Sequence, residues 1–296
     1  MKYIFTVDIG GTEIKYGVID SSSNLIYKDK MPSKGSIGGK FILDDVIEKF
    51  NLLSKKYSFL GISVSSGGVI NSKTGEVLSA TGSIKDYVGV NIINYLNEKL
   101  NVPVSVLNDV NSMALCESFY GAGKNLDSMI ALTIGTGIGG AIIINGNLVE
   151  GSAYSAGEFG LMKIESEIYE EIASTSSLVK FAKREIPSIN NGLDVFKYYD
   201  EGHQDIIKVV NKFYDNLAIG IANLIYAFNP SAVIIGGGIS GREKFIDELN
   251  EHLRNKLSSY MISHTKIKAA KFKNDAGMIG AYVHFLKQYP DVFPSL

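Results

Sequence analysis

The chain has 296 residues, 45% of them apolar and 20% charged, the balance of a globular protein with a full core. Its 29 Lys and Arg against 31 Asp and Glu give a formal net charge of -2, which argues against a chain built to coat nucleic-acid phosphates. A single cysteine, Cys116, excludes an internal disulfide framework and a zinc site built on two cysteines of one chain. No run of about 18 apolar residues predicts a spanning helix, and Asp8 comes too early for an apolar signal core. A reducing cytoplasm is the expected location, with no membrane and no nucleic acid as partner.

In chain order, four apolar, β-rich runs each end in glycines: YIFTVDI before Gly10-Gly11, FLGISV before Gly67-Gly68, MIALTI before Gly135 to Gly140, and the run from Ala232 before Gly236 to Gly238. Such units predict strands ending in tight turns. Helical spacing of apolar residues predicts helices over 41–55, 211–228 and 243–257. Strands alternating with helices give an α/β class. The polar stretch 188–204 suggests a surface loop or a short helix. TVDIGGTEIKYGVIDSSSNLIY from Thr6 and ALTIGTGIGGAIIINGNLVEGS from Ala131 share one plan of strand, Gly/Thr turn, strand, polar turn and short strand. Two lobes, each opening with a glycine-turned hairpin, are expected.

Several constellations suit chemistry. In Asp8-Ile9-Gly10-Gly11-Thr12-Glu13-Ile14-Lys15, two glycines let backbone N–H groups approach an anion, Thr12 adds a hydroxyl and Lys15 a positive charge. Asp8 suits a hydrated Mg²⁺ beside phosphate; the plain alternative is a capped hairpin turn. Gly135, Gly137 and Gly140 fit the GxGxxG spacing, but a strand follows where a dinucleotide fold needs a helix. Gly236, Gly238 and Gly241 fit it between a strand and a helix, yet the next strand candidate, TKIKAAKF, places no carboxylate for a ribose. In Leu107-Asn108-Asp109-Val110-Asn111, Asp109 stands at a strand-to-helix junction, either as a helix cap or as a carboxylate that accepts a hydroxyl proton, with Asn108 on the same substrate. Glu158 in GSAYSAGEFG, and Glu170 in IYEEIAST, are solvated carboxylates or acceptors for sugar hydroxyls. The histidines at 203, 252, 264 and 284 stand apart and do not make a ligand set.

Taken together and in this order, the motifs DIGGTEIK, LNDVNSMALCESFYG, LTIGTGIGGAIIINGNLVEGSAYSAGEFG and VIIGGGIS resemble the ROK family of bacterial sugar kinases and sugar-responsive repressors, within the actin-like ATPase superfamily. The resemblance covers nearly the whole chain. It implies a two-lobed actin-like (ribonuclease H-like) α/β fold with a cleft between lobes: 1–117 as one lobe, rejoined by a carboxyl-terminal helix at about 276–296, and 118–275 as the other. It implies ATP and Mg²⁺ as cofactors and a small sugar as substrate. By position, Asp109 would take the proton from the attacking sugar hydroxyl. Asn108, Glu158 and Glu170 would hold sugar hydroxyls, with Gly67 and Gly82 nearby. Gly10, Gly11, Thr12, Thr136 and Gly137 would cradle phosphates, and Gly237 and Gly238 would border the nucleotide.

Two departures from the family pattern matter. The run Glu158-Phe159-Gly160-Leu161 lacks the family's histidine, and residues 162–180 contain no cysteine or histidine. No structural zinc is therefore expected; packing by Met162, Ile164, Ile168 and Tyr169 is expected to hold that loop. Zinc-less family members without the histidine include N-acetylmannosamine kinases and β-glucoside kinases. The expected activity is ATP-dependent phosphorylation of the 6-hydroxyl of a hexose or N-acylhexosamine, with N-acetylmannosamine in sialic-acid breakdown placed first and β-glucosides or glucose next. A catalytically inactive sugar-binding regulator is the alternative of another class. A repressor is disfavoured, since only seven residues precede Asp8 and the charge is not basic. The family's habit of pairing implies a homodimer.

Overall fold

The computed structural model describes residues 1–293. They form two compact units: Met1–Phe119 with Glu150–Ser155 and the chain from Asn274 onward, and Tyr120–Val149 with Ala156–Lys273.

The first unit runs β1 (Lys2–Ile9), β2 (Glu13–Asp20), β3 (Leu25–Pro32), α1 (Gly39–Leu53), β4 (Ser58–Ser66), a small hairpin of β5 (Val69–Ile70) and β6 (Val77–Ser79), α2 (Ile92–Leu100), β7 (Val104–Asn108) and α3 (Asp109–Tyr120). Its sheet has the order β3-β2-β1-β4-β7. The first three strands pair antiparallel and the last three parallel. Alternation along β1 sends Phe5, Val7 and Ile9 into a core with Ile42, Leu43, Val46 and Phe50 of α1. Helix α1 starts at Gly39, and Phe41, which the spacing placed at its start, is exposed. The opposite face of β1 meets the carboxyl-terminal helix Ala276–Gln288, where Thr6 Oγ1 donates to the Met278 carbonyl at 2.7 Å. That helix is shorter than the expected 276–296: Pro290 opens a separate turn at Pro290–Val292, and 294–296 lie outside the described residues.

The second unit runs β8 (Met129–Ile134), β9 (Ile138–Ile144), β10 (Asn147–Leu148), a hairpin of β11 (Lys163–Ile164) and β12 (Glu167–Ile168), α4 (Tyr169–Ala173), α5 (Thr175–Glu185), α6 (Gly192–Asp200), α7 (Gln204–Phe228), β13 (Ala232–Gly236), α8 (Phe245–Leu253), α9 (Ser259–His264) and β14 (Lys266–Ala269). Its sheet has the order β10-β9-β8-β13-β14. Again an antiparallel meander leads into parallel neighbours, so the plan shared by the two sequence segments is a shared strand plan. Ile130, Leu132 and Ile134 pack with Phe213, Leu217 and Ile221 of α7. Helix α7 begins well before residue 211, and the polar 188–204 stretch holds α6, capped by the Asn191 side chain accepting the Asp194 N–H. The 162–169 loop is a hairpin whose Met162, Ile164 and Tyr169 join this core, with Ile168 half-buried. Tyr169 is fully buried and donates to the Leu217 carbonyl at 2.8 Å. Among the described residues no helix is long and apolar enough to cross a membrane.

Candidate active site

In the first unit, strand register brings the polar residues to one level. Asp8 pairs with Ser65, Ser65 with Leu107, and Ser66 with Asn108, so β1, β4 and β7 deliver their carboxyl ends side by side. Catalytic groups of α/β sheets collect at such ends. Ser65 Oγ donates to Asp8 Oδ1 at 2.7 Å. Lys15, opposite Asp8 across the hairpin, lies 3.5 Å from Oδ2. Lys15 thus forms an ion pair with Asp8. Gly277, in the carboxyl-terminal helix, touches the same carboxylate: a Cβ there would fall 2.6 Å from Asp8 Oδ1, so only glycine allows the approach. The sequence set Asp8 and Lys15 in one hairpin without pairing them, and the contributions of Ser65 and Gly277 come from distant segments and left no local signal.

Asn108 and Asp109 divide their work. Asn108 Oδ1 accepts the N–H groups of Val110 at 2.9 Å and Asn111 at 3.0 Å, which makes Asn108 the cap of α3. Its Nδ2 donates to the Gly68 carbonyl at 2.9 Å. Asp109 starts the helix, is exposed, and accepts its neighbour Val110 N–H through Oδ1 at 2.9 Å. Gly67 borders it: a Cβ there would lie 3.8 Å from Asp109 Oδ2. Gly10 closes the β1–β2 turn by donating to the Glu13 carbonyl at 3.0 Å, while Gly11 and Thr12 stand exposed at its tip. Gly11 lies against Ser83, beside Gly82.

In the second unit, the β8–β9 turn is closed by the Gly135 N–H donating to the Gly137 carbonyl at 3.0 Å, with Thr136 exposed at its tip. Glu170 braces this turn, since its Oε2 accepts the Ile138 N–H at 3.1 Å and packs on Gly137. Glu158 lies near Glu170; partial desolvation first, and then the Glu170 charge, raise its pKa above the usual carboxylate range. Gly237 follows β13 and packs on the Ile134 carbonyl, which joins the second glycine turn to the first within this unit. Gly238 is exposed.

A model of the ROK family matches residues 4–288. The chain belongs to the ROK family. It is 35% identical over 297 residues to a β-glucoside kinase of Listeria monocytogenes, covering 96% of this chain and 98% of that one. Among solved structures, a Listeria monocytogenes protein described as a candidate N-acetylmannosamine kinase superposes with a TM-score of 0.86 at 32% identity, covering 97% of this chain and 99% of that one. A ROK glucokinase of Streptomyces griseus, solved with glucose and AMPPNP, superposes with a TM-score of 0.80 at 25% identity, covering 94% and 97%. The fold of this ROK protein is thus the actin-like, ribonuclease H-like one, and the protein is an ATP-dependent sugar kinase.

Proposed function

We propose that this ROK protein transfers the γ-phosphoryl group of ATP to the 6-hydroxyl of a hexose, and that Asp109 is the base. The observation behind this reading is the division of labour at α3. Asn108 caps the helix, and the Asp109 carboxylate, which accepts the Val110 N–H through Oδ1, stands exposed at the helix start. An Asp at this position removes the hydroxyl proton as the oxygen attacks phosphorus, and the proton stays on the carboxyl until product leaves. Asn108 retains one amide N–H for a sugar oxygen beyond its bond to Gly68. Gly67 and Gly82 offer backbone beside the sugar, and Glu158 and Glu170 accept sugar hydroxyls. Glu170 does so with the oxygen that is not engaged by Ile138.

The turns at Gly10, Gly11 and Thr12 and at Thr136 and Gly137 present backbone and hydroxyl donors to phosphate oxygens. Gly237 and Gly238 border the nucleoside. Asp8 is a hard oxygen donor steadied by Ser65 and fits a hydrated Mg²⁺, which would neutralise phosphate charge when bound. Lys15 keeps Asp8 oriented.

For the sugar, β-glucosides come first, supported by curated relatives at 35% and 31% identity that carry that name. N-acetylmannosamine, which the sequence alone placed first, comes second, supported by the structural neighbour of that description. A cytoplasmic homodimer is part of the same reading. The test is ATP consumption by purified protein with Mg²⁺ and cellobiose, glucose, N-acetylmannosamine, N-acetylglucosamine or mannose. Highest kcat/KM with cellobiose supports the β-glucoside reading; highest kcat/KM with N-acetylmannosamine overturns it in favour of the second. Binding without turnover on every sugar would favour an inactive sensor.

A further inference from the structure

Behind the Asp109 loop lies a pair of buried hydroxyls that the proposed chemistry does not use. Ser66, the last residue of β4, is fully buried, and Tyr87 is 2% exposed. Their oxygens are 2.7 Å apart. Ser66 Oγ also donates to the Gly67 carbonyl at 3.3 Å. A serine hydroxyl has one proton to give. Ser66 can therefore give its proton to Gly67 while accepting from Tyr87, and at 2.7 Å either oxygen of the Ser66–Tyr87 pair can be the donor, so the two contacts link Tyr87 through Ser66 to the Gly67 carbonyl. Burial first, and the nearby Asp109 charge in addition, push the Tyr87 phenol up to about 12, which keeps its proton in place at neutral pH. The following peptide is gripped separately, by Asn108 Nδ2 on the Gly68 carbonyl at 2.9 Å. Both carbonyls of the Gly67-Gly68 pair are thus tied down beside the Asp109 carboxylate.

We propose that Tyr87, acting through Ser66, is a positioning residue for phosphoryl transfer: it fixes the Gly67 peptide that borders the Asp109 carboxylate and so sets the geometry in which the base meets the sugar hydroxyl. This rests on the reading of Asp109 as the base. Glycine cannot hold such a loop by its own conformational preference, and a misplacement of the order of 1 Å at a reacting centre costs up to about a hundredfold in rate. A pair of buried hydroxyls is a stiff support, because each loses its hydrogen bond if the loop moves.

The test is steady-state kinetics on Tyr87→Phe, Ser66→Ala and the double variant, with thermal melts to confirm folding and Asp109→Asn in the same assay. Tyr87→Phe should lower kcat about tenfold and leave KM for ATP unchanged. Ser66→Ala should do the same, and the double variant should be no worse than either single one, because the hydroxyls act in series. A folded Tyr87→Phe with wild-type kcat, while Asp109→Asn is inactive, overturns the positioning role and leaves the base assignment standing. Turnover by Asp109→Asn overturns the base assignment and this proposal with it. Losses in kcat that simply multiply in the double variant also overturn it, since they mean two independent packing defects. Tyr87→Leu serves as a second variant: it should reproduce the kcat loss if the hydroxyl matters.

Discussion

The hairpin turn of the first unit and that of the second occupy the same place in the same strand plan, yet they are built with opposite chemistry. By register, Asp8 corresponds to Thr133 and Lys15 to Gly139, since each precedes or follows the last paired residues, Ile9–Ile14 and Ile134–Ile138. The neighbour on the parallel side is Ser65 in one unit and Gly236 in the other. The first turn therefore carries an ion pair within its own strands. The second is neutral, and the carboxylate beside it, Glu170, comes from α4 and accepts a backbone N–H. The parallel edge differs too: β7 ends on Asn108 with Asp109 next, whereas β14 ends on Ala269. One scaffold thus carries a charged strand-end cluster in one unit and a neutral turn in the other, and a few residues at strand ends decide which.

The largest expected effect falls on the asymmetry of the parallel edge. Asp109→Asn should cut kcat by about a thousandfold, as loss of a general base does, while sugar binding by calorimetry persists.

Acid should separate the units next. His284, in the helix that covers the first sheet, is 9% exposed, and its Nε2 has no partner among the described residues. Burial first, and Lys287 second, push its pKa from 6.5 down to about 4. Its neutral form fits the fold, so stability is fully present above the unfolded value of 6.5 and is lost as pH falls toward 4. The loss approaches about 3 kcal/mol. Hydrogen exchange at pH 5 should show peptides of the first unit opening before those of the second, and His284→Gln should flatten the pH slope of urea midpoints.

Gly277→Ala and Gly137→Ala compare the two turns directly. The first drives a methyl into Asp8, which Ser65 and Lys15 hold in place, and should cost about 1–3 kcal/mol by chemical denaturation. The second meets the end of the Glu170 side chain, so it should cost less than the first while raising KM for ATP. The smallest effect is the cap: Asn108→Ala should lower stability by about 1 kcal/mol, seen in the urea midpoint. An equal cost for the two alanines would remove the contrast between a rigid and a yielding turn.

The strand-turn-strand echo was legible because it is local: alternation and glycine placement are written within some twenty residues. So was the junction carrying Asn108 and Asp109. Helix starts were less legible. Helix α7 opens at Gln204 and already buries Ile206 and Val210, four residues apart, so its apolar stripe runs upstream of residue 211, while α6 is opened by the Asn191 cap and buries Val195 and Phe196. Which of Asn108 and Asp109 caps α3 is not written in the pair, since either side chain can do it; the Gly68 carbonyl, held by Asn108, settles the geometry. Ser65 and Gly277 meet Asp8 across long stretches of chain, and no local pattern announces such contacts; the Ser66–Tyr87 pair joins the end of β4 to a residue in the segment between β6 and α2, where no regular spacing marks it.

The order in which the chain leaves the ribosome gives the two units different histories. Every segment of the second has been made once Lys273 is out, whereas the first still lacks the helix that follows. Thr6 and Asp8, made long before Lys273, find the Met278 carbonyl and Gly277 only once the helix that follows Lys273 has been made. Although domains usually fold amino-terminal first as they emerge, here the amino-terminal sheet keeps one face uncovered until the helix after Lys273 is made. A ribosome-held chain in which a flexible spacer replaces the residues after Lys273, so that Lys273 is clear of the ribosome, should hold a protease-resistant second unit beside a cleavable first one.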